Sequence, residues 1–228
     1  MKPIIFNKEM VRAILDGRKT ATRRVMKPQP FYKDGFWKLG GAAWSEDIKR
    51  VIPMPNHSLY ERMPYKEGDI LYVRENWAIA PELNGIADGG AVYMADYSNL
   101  ELGCLKDKHF RWRPSIHMPK ELARLFLRVT DVCAEQLQTI STMDIIREGV
   151  SPKALKAHGC ECAWAFDGCR NEPCANRDAY ERLTYSIPFG ELWDATMKPN
   201  EQESYGWNAN PWVWVNEFEV CEKPKEAL

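Results

Sequence analysis

Residues 8–25 of the chain read KEMVRAILDGRKTATRRV, and this stretch predicts how the fold begins. Apolar residues recur at helical spacing over 8–15, which predicts an amphipathic helix with one buried stripe. Asn7 is suited to cap the start of this helix, and Gly17 to end it. The β-branched residues and the alternation over 20–25 predict a strand. This stretch therefore predicts a short helix that leads directly into a strand.

Further along the chain, short strands are predicted where apolar or alternating runs occur, at 70–73, 91–94, 125–133 and 212–220. The stretch 28–66 contains five prolines and the Gly40-Gly41 pair, so we expect mostly loop there, with one hairpin.

Two more helices are expected in the second half of the chain. Ser141 followed by Asp144 has the spacing of a capping box and predicts a short helix at 141–147. A second helix at 180–193 is expected to be interrupted by Pro188 and Gly190. Several short strands, few helices and no strand–helix alternation favour an α+β fold with a partly closed β-barrel over a parallel sheet.

Composition excludes several classes of protein. Of the 228 residues, 45% are hydrophobic and 28% charged, which excludes disorder of the whole chain. The net charge of −1 excludes a globally basic nucleic-acid binder. No apolar run approaches the roughly 18 residues of a membrane span, and the N-terminus lacks a signal-peptide core. We therefore expect a cytoplasmic protein with no membrane partner.

The positive charges are concentrated near the N-terminus. Residues 1–50 carry twelve Lys or Arg and five acidic residues, whereas 51–100 carry three basic and seven acidic residues. This asymmetry is typical of a patch that faces phosphate, and equally of a basic segment folded against acidic neighbours.

Residues 17–24 combine four cations with two hydroxyls directly after the predicted helix. A polar turn with solvated charges is one interpretation. The other is a site that holds a phosphate or a carbonyl oxygen. For Lys19 to act as a base its pKa must fall, and the neighbouring arginines favour that because like charge disfavours the ammonium.

The pattern Gly17-x-Lys19-x-x-Thr22-x-Arg24 resembles the signature of the ASCH domain superfamily, a PUA-like β-barrel group associated with RNA. The form with Thr22 is similar to the branch that contains N4-acetylcytidine amidohydrolases. The resemblance implies that Lys19 is a base, that Thr22 is the nucleophile or orients a water, and that Glu148 carries a proton to the leaving amine. Residues 67–75, EGDILYVRE, resemble the second-strand motif of the same group.

The resemblance extends over 4–25, 66–77, 122–150 and 211–220, which is under half of the chain. It implies a single ASCH/PUA-like domain over 1–228, with flanking short helices and long loop insertions, like the larger members of phage and prophage genomes. The implied function is hydrolysis of the acyl group of N4-acetylcytidine-like nucleosides. The alternatives are a non-catalytic module that binds RNA or a modified base and, as the weaker one, a ribonuclease.

Additional residues are expected to contact the nucleoside or RNA. Trp112 and Arg113 stand just before Pro114, in a stretch where arginine alternates with an aromatic residue, a pattern that suits stacking on a base. A rigid loop with Trp112 in the core is the alternative. The expected binding residues are Arg18, Arg24, Arg74, Glu75, Trp112 and Arg113.

A Cys-rich insert occupies 151–178. Four thiolates within it could hold a structural zinc ion, with His158 as a substitute ligand, although the paired Cys-x-x-Cys spacing is missing. Free cysteines in a flexible loop are the alternative. No cofactor is expected for catalysis. The expected ligands are Cys160, Cys162, Cys169 and Cys174.

Overall fold

The computed structural model describes residues 1–79, 90–99, 101–102, 111–150 and 185–224. The strands are β1 (Lys2–Ile5), β2 (Ala21–Val25), β3 (Phe31–Lys33), β4 (Phe36–Leu39), β5 (Ala42–Ser45), β6 (Arg50–Val51), β7 (Ile70–Arg74), β8 (Trp77–Ile79), β9 (Ala91–Tyr93), β10 (Phe126–Gln136) and β11 (Trp212–Cys221). The α-helices are α1 (Lys8–Leu15), α2 (Thr142–Arg147), α3 (Ile187–Ala195) and α4 (Gln202–Tyr205). No helix in these ranges has the length and hydropathy needed to cross a membrane.

The chain divides into two compact units. The first comprises Met1–Gly17, Lys66–Thr130 and Phe218–Leu228, and the second comprises Arg18–Tyr65 and Asp131–Glu217. Strands β10 and β11 each contribute residues to both units.

In the first unit, β7 pairs in parallel with β1 and antiparallel with the beginning of β10. The predicted helix is confirmed as α1, where the side chain of Asn7 accepts a hydrogen bond from the Met10 amide and Gly17 adopts a φ of 72°. Strands β8 and β9 pair antiparallel in a separate two-stranded sheet. A buried apolar cluster lies beneath these elements and contains Trp77, Met118, Ala123 and Phe126.

In the second unit, β2 pairs antiparallel with β11, and the end of β10 pairs with β6. Helix α2 begins at the predicted capping box, in which Ser141 and Asp144 bond to each other's backbone amides. One apolar cluster holds this unit together, because the two helices and the strands bury side chains against each other: Cys133, Leu137, Ile140, Ile145, Phe189, Trp193, Val213 and Val215.

The expectation of mostly loop with one hairpin over 28–66 is corrected at residues 31–45. Three antiparallel strands, β3 to β5, occupy this range. Asp34-Gly35 and Gly40-Gly41 all have positive φ, which is the geometry of two-residue hairpin turns. Trp37 and Trp44 pack edge-on against Trp212 at ring separations of 5.6 Å and 5.1 Å. The tryptophan contacts therefore hold the three short strands in place.

Helix α3 corrects the expectation that Pro188 and Gly190 interrupt a helix over 180–193, of which residues 180–184 lie outside the described part of the chain. It runs without a break from Ile187 to Ala195, because Pro188 stands in the first turn. Backbone amides in the first turn have no acceptor within the helix, so a proline there costs no hydrogen bond. The backbone at Gly190 passes close to Trp207, so this glycine marks a tight packing contact.

The fold is therefore mixed α+β, with mostly short strands and short helices, as the sequence predicts. None of the sheets formed by the described residues closes into a barrel.

Candidate functional site

The candidate site lies in the second unit, where the turn before β2 meets the end of α2. Lys19 and Glu148 form an isolated antiparallel bridge, and the Thr20 amide donates to the carbonyl of Arg147 at 2.9 Å. Glu148 is the C-cap residue of α2, and the next residue, Gly149, has a φ of 88°. The end of this helix therefore places the Glu148 side chain beside Lys19.

Lys19 is buried together with its counter-ion. The Nζ atom lies 2.8 Å from Oε2 of Glu148, 2.9 Å from the carbonyl oxygen of Glu148 and 2.8 Å from that of Ala21. The Lys19 side chain is fully enclosed, and that of Glu148 is 7% exposed. The structure thus brings together two of the three predicted catalytic side chains.

Arg23 is the second cation of the site. It donates to Oε1 of Glu148 at 3.2 Å and to Oε1 of Glu135 at 2.7 Å and 3.0 Å. Sequence reasoning placed Arg23 within the motif but gave it no partner, and it missed Glu135 altogether. The available signal was that Glu135 directly follows the apolar run 132–134 near the end of a predicted strand.

Burial lowers the pKa of Lys19 below its usual value. The negative charge of Glu148 opposes this effect, whereas the positive charges of Arg24 and Arg23 add to it. Burial also lowers the pKa of Arg23, but the carboxylates of Glu148 and Glu135 outweigh it and raise the net value. The site can therefore hold a lysine that loses its proton more readily than a lysine in water.

Thr22 follows Ala21, the residue whose carbonyl oxygen accepts from Lys19. Its side chain is 1% exposed, and its register partner across the sheet is Asn216. Within the described part of the chain, the Thr22 hydroxyl has no hydrogen-bond partner. A hydroxyl in this state is free to bond to a ligand.

The two other arginines of the motif differ in exposure. Arg18 is exposed and donates to the carbonyl of Gly149 at 2.8 Å. Arg24 is half-buried, and burial lowers its pKa.

The four remaining expected binding residues belong to the first unit, and each has a partner there. Arg74 donates to the Met118 carbonyl at 2.8 Å, and the Glu75 carboxylate pairs with Arg124. The other two make ring contacts: Trp112 packs edge-on against Tyr97, and the Arg113 guanidinium lies over the Trp77 ring. Contact of these four residues with a nucleoside or RNA stays a prediction.

The expected zinc ligands Cys160, Cys162, Cys169 and Cys174, together with His158, lie outside the described residues, as does the rest of the insert at 151–178. Among the residues that are described, no group of three or more His, Cys, Asp or Glu side chains is arranged to hold a metal ion.

No family model, curated protein or solved structure matches this chain.

Proposed function

We propose that this protein hydrolyses the acyl amide of an N4-acetylcytidine-like nucleoside, with Lys19, Thr22 and Glu148 as its catalytic residues. The proposal includes the PUA-like barrel implied by the motif and a nucleoside or RNA partner in the cytoplasm.

The observation that carries the proposal is the buried ion pair of Lys19 and Glu148. These residues are 129 positions apart in the sequence, yet Nζ and Oε2 are 2.8 Å apart in a site that is nearly closed to solvent. Acid–base catalysis requires a proton donor and acceptor within hydrogen-bond reach and with a perturbed pKa. The lowered pKa of Lys19 meets the second requirement.

The reaction needs a neutral amine and a neutral acid at the start. Lys19 passes a proton to Oε2 of Glu148 along their hydrogen bond. The amine then takes a proton from a water that the Thr22 hydroxyl orients, and the water oxygen attacks the acyl carbon. Glu148 returns its proton to N4 as the carbon–nitrogen bond breaks. The products are the carboxylic acid and cytidine, and the charged pair is restored.

A second function, binding of RNA or a modified base without chemistry, is favoured by the surroundings of the Lys19 ammonium. Three oxygen atoms lie within 2.9 Å of it, which matches its three hydrogens. A cation paired in this way is suited to joining β2 to α2 as a structural element.

The deciding experiment incubates the purified protein with N4-acetylcytidine and, separately, with a labelled RNA, and analyses both by mass spectrometry. Hydrolysis yields cytidine from the nucleoside, whereas a ribonuclease shortens the RNA. The binding module forms no product and shows salt-dependent affinity for the oligonucleotide.

Two variants test the catalytic pair. Lys19→Met and Glu148→Gln are each expected to lower the rate of cytidine release by about 10²–10⁴-fold, the usual contribution of a general acid or base. The matched control is Lys27→Met, because Lys27 forms an exposed ion pair with Glu201 at 2.7 Å. Full activity of both site variants, with folding verified by circular dichroism, would end the assignment.

The insert at 151–178 carries a separate proposal, a structural zinc ion held by its four cysteines. Metal analysis of the purified protein is expected to find about one zinc per chain, the content of a single four-ligand site. The double variant Cys160→Ser/Cys162→Ser is expected to lose it, and a protein purified without zinc would contradict the proposal.

A further inference from the structure

Two buried side-chain oxygen atoms belong to paired residues of β2 and β11. Thr22 and Asn216 are directly opposite each other in the antiparallel register and are 1% and 0% exposed. Neither the Thr22 Oγ1 atom nor the Asn216 Oδ1 atom has a hydrogen-bond partner among the residues described. Residues that are paired in this way have neighbouring side chains on the same face of the sheet.

The orientation of the Asn216 amide is set by its nitrogen. Nδ2 lies 3.3 Å from the carbonyl oxygen of Thr22 and 3.5 Å from that of Trp214, and it donates to both. The nitrogen end is therefore occupied by the backbone, and Oδ1 is the end without a partner. An unsatisfied buried acceptor is costly, so it calls for a physical explanation such as a bound molecule.

The same face of the sheet continues to Arg24 and Trp214, which form the register pair two residues along from Thr22 and Asn216. Trp214 is buried and Arg24 half-buried, so this face combines a flat aromatic ring with a cation. Arg23, between Thr22 and Arg24, bonds to Glu135 and Glu148 instead. Alternation along β2 turns the Arg23 side chain to the other face, but the Glu148 carboxylate that it binds also interacts electrostatically with Arg24 on this face.

We propose that Asn216 is a substrate-binding residue, whose Oδ1 accepts a hydrogen bond from the amide N–H of an acylated nucleobase. This inference rests on the proposed function, because it places the substrate against Thr22. An oxygen acceptor selects a ligand that brings an N–H group, and an acylated exocyclic amine has one next to the carbonyl that is attacked. Arg24, on the same face, supplies positive charge for that carbonyl oxygen.

Binding is measured by isothermal titration of N4-acetylcytidine into the Glu148→Gln protein, in which turnover is suppressed, with and without Asn216→Leu. Leucine has a similar volume and removes the acceptor. Loss of one hydrogen bond from a buried site is expected to weaken the Kd about tenfold. Gln138→Met is the matched control, because it also removes an amide, one that donates to the Trp207 carbonyl at 2.8 Å; its Kd is expected to be unchanged.

A second measurement needs no ligand. Thr22→Val replaces the hydroxyl by a methyl group of similar size, and the Tm is expected to rise by about 2–4 °C because a buried polar atom without a partner is removed. A fall in the Tm would mean that the hydroxyl is satisfied within the protein, and would overturn the inference.

The remaining outcomes separate this inference from the proposed function. Equal Kd values with and without Asn216→Leu overturn the role of Asn216 alone. Binding that depends on Asn216, without cytidine release by the unchanged protein, overturns the proposed hydrolysis and supports the binding residue. Absence of N4-acetylcytidine binding by the Glu148→Gln and unchanged proteins overturns both.

Discussion

Arg23 donates to Oε1 of Glu148 at 3.2 Å, whereas Lys19 bonds to the other carboxylate oxygen, Oε2, at 2.8 Å. Arg23 also bonds to Glu135 on β10, so its guanidinium connects the carboxylate of Glu148 to the sheet. The planar guanidinium has several donors in a rigid arrangement, which lets it serve both carboxylates at once. Arg23 is thus a positioning residue for Glu148.

Replacing Arg23 tests this role. Arg23→Lys keeps the charge but cannot bond to both carboxylates, so kcat for N4-acetylcytidine is expected to fall at least about tenfold, with little change in KM. The control is Arg50→Lys, because Arg50 also contacts two carboxylates, Asp131 and Glu217, but at an exposed position. Equal kcat values in the two variants would show that Arg23 does not position the acid.

The pH dependence of the reaction follows from the lowered pKa of Lys19. In the proposed reaction the pair holds a single proton, which Glu148 must donate to N4, so kcat/KM is expected to fall as the pH rises through the pKa of Lys19, at a lower pH than the usual lysine pKa of 10.5 would give. Arg24→Gln removes a positive charge that disfavours the ammonium, so the pKa of Lys19 rises and the profile moves to higher pH. Lys27→Gln, at an exposed site, is expected to leave the profile in place. An unmoved or acid-shifted Arg24→Gln profile would contradict the assignment of the base.

The capping box of α2 makes stability depend on pH. Burial raises the pKa of Asp144, but hydrogen bonds from Ser141 and the charge of Arg23 outweigh it and hold the pKa below 3.8. A lowered carboxylate pKa stabilises the fold above the unfolded value, and this contribution disappears as the pH falls through the folded pKa.

Asp144→Asn is therefore expected to lower the free energy of unfolding by about 1 kcal/mol at pH 7. Urea titrations should show this difference shrinking as the pH falls below 3.8. The control is Asp34→Asn, whose ion pair with Lys38 is exposed and is expected to contribute little. A difference that stays constant down to pH 3 would show that the charge of Asp144 is not responsible.

In the first unit, Glu75 is buried against Arg124, with carboxylate-to-guanidinium distances of 2.9 Å and 3.1 Å. Burial raises the pKa of Glu75, whereas Arg124 lowers it. Arg124→Met leaves this carboxylate without its partner and is expected to destabilise the protein by about 3 kcal/mol. Adding Glu75→Gln should recover much of the loss. Additive effects in the double-mutant cycle, measured by urea unfolding, would contradict the coupling.

Gly190 tests the packing of α3. A Cβ atom there would lie 2.7 Å from the ring of Trp207, although alanine favours helices more than glycine does. Gly190→Ala is therefore expected to destabilise the protein by about 1–3 kcal/mol, the usual cost of overpacking. Adding Trp207→Leu removes the ring, so the effect of the alanine should become neutral or favourable. A stabilising Gly190→Ala single variant would contradict the close contact.

Local patterns predicted the elements well. Helix α1 with its Asn7 cap, strand β2, the capping box of α2 and the strands β7, β10 and β11 all lie where periodicity and capping residues indicate. These features depend on neighbours in the sequence, which is why one chain read alone reveals them. The strands β3 to β5 were missed because the aromatic residues that hold them pack on Trp212, far away in the sequence.

The features of the candidate site also separate into those that local sequence predicts and those that arise from contacts between distant residues. The cluster of cations and hydroxyls at 17–24, directly after a helix, can be predicted from the chain alone, because both the spacing and the turn are local. Long-range folding is what encloses Lys19 with Glu148, links Glu148 to Glu135 through Arg23, and sets Thr22 opposite Asn216. Burial and long-range pairing set these relationships, because the charge and solvation of a side chain depend on residues that the chain brings to it from more than a hundred positions away.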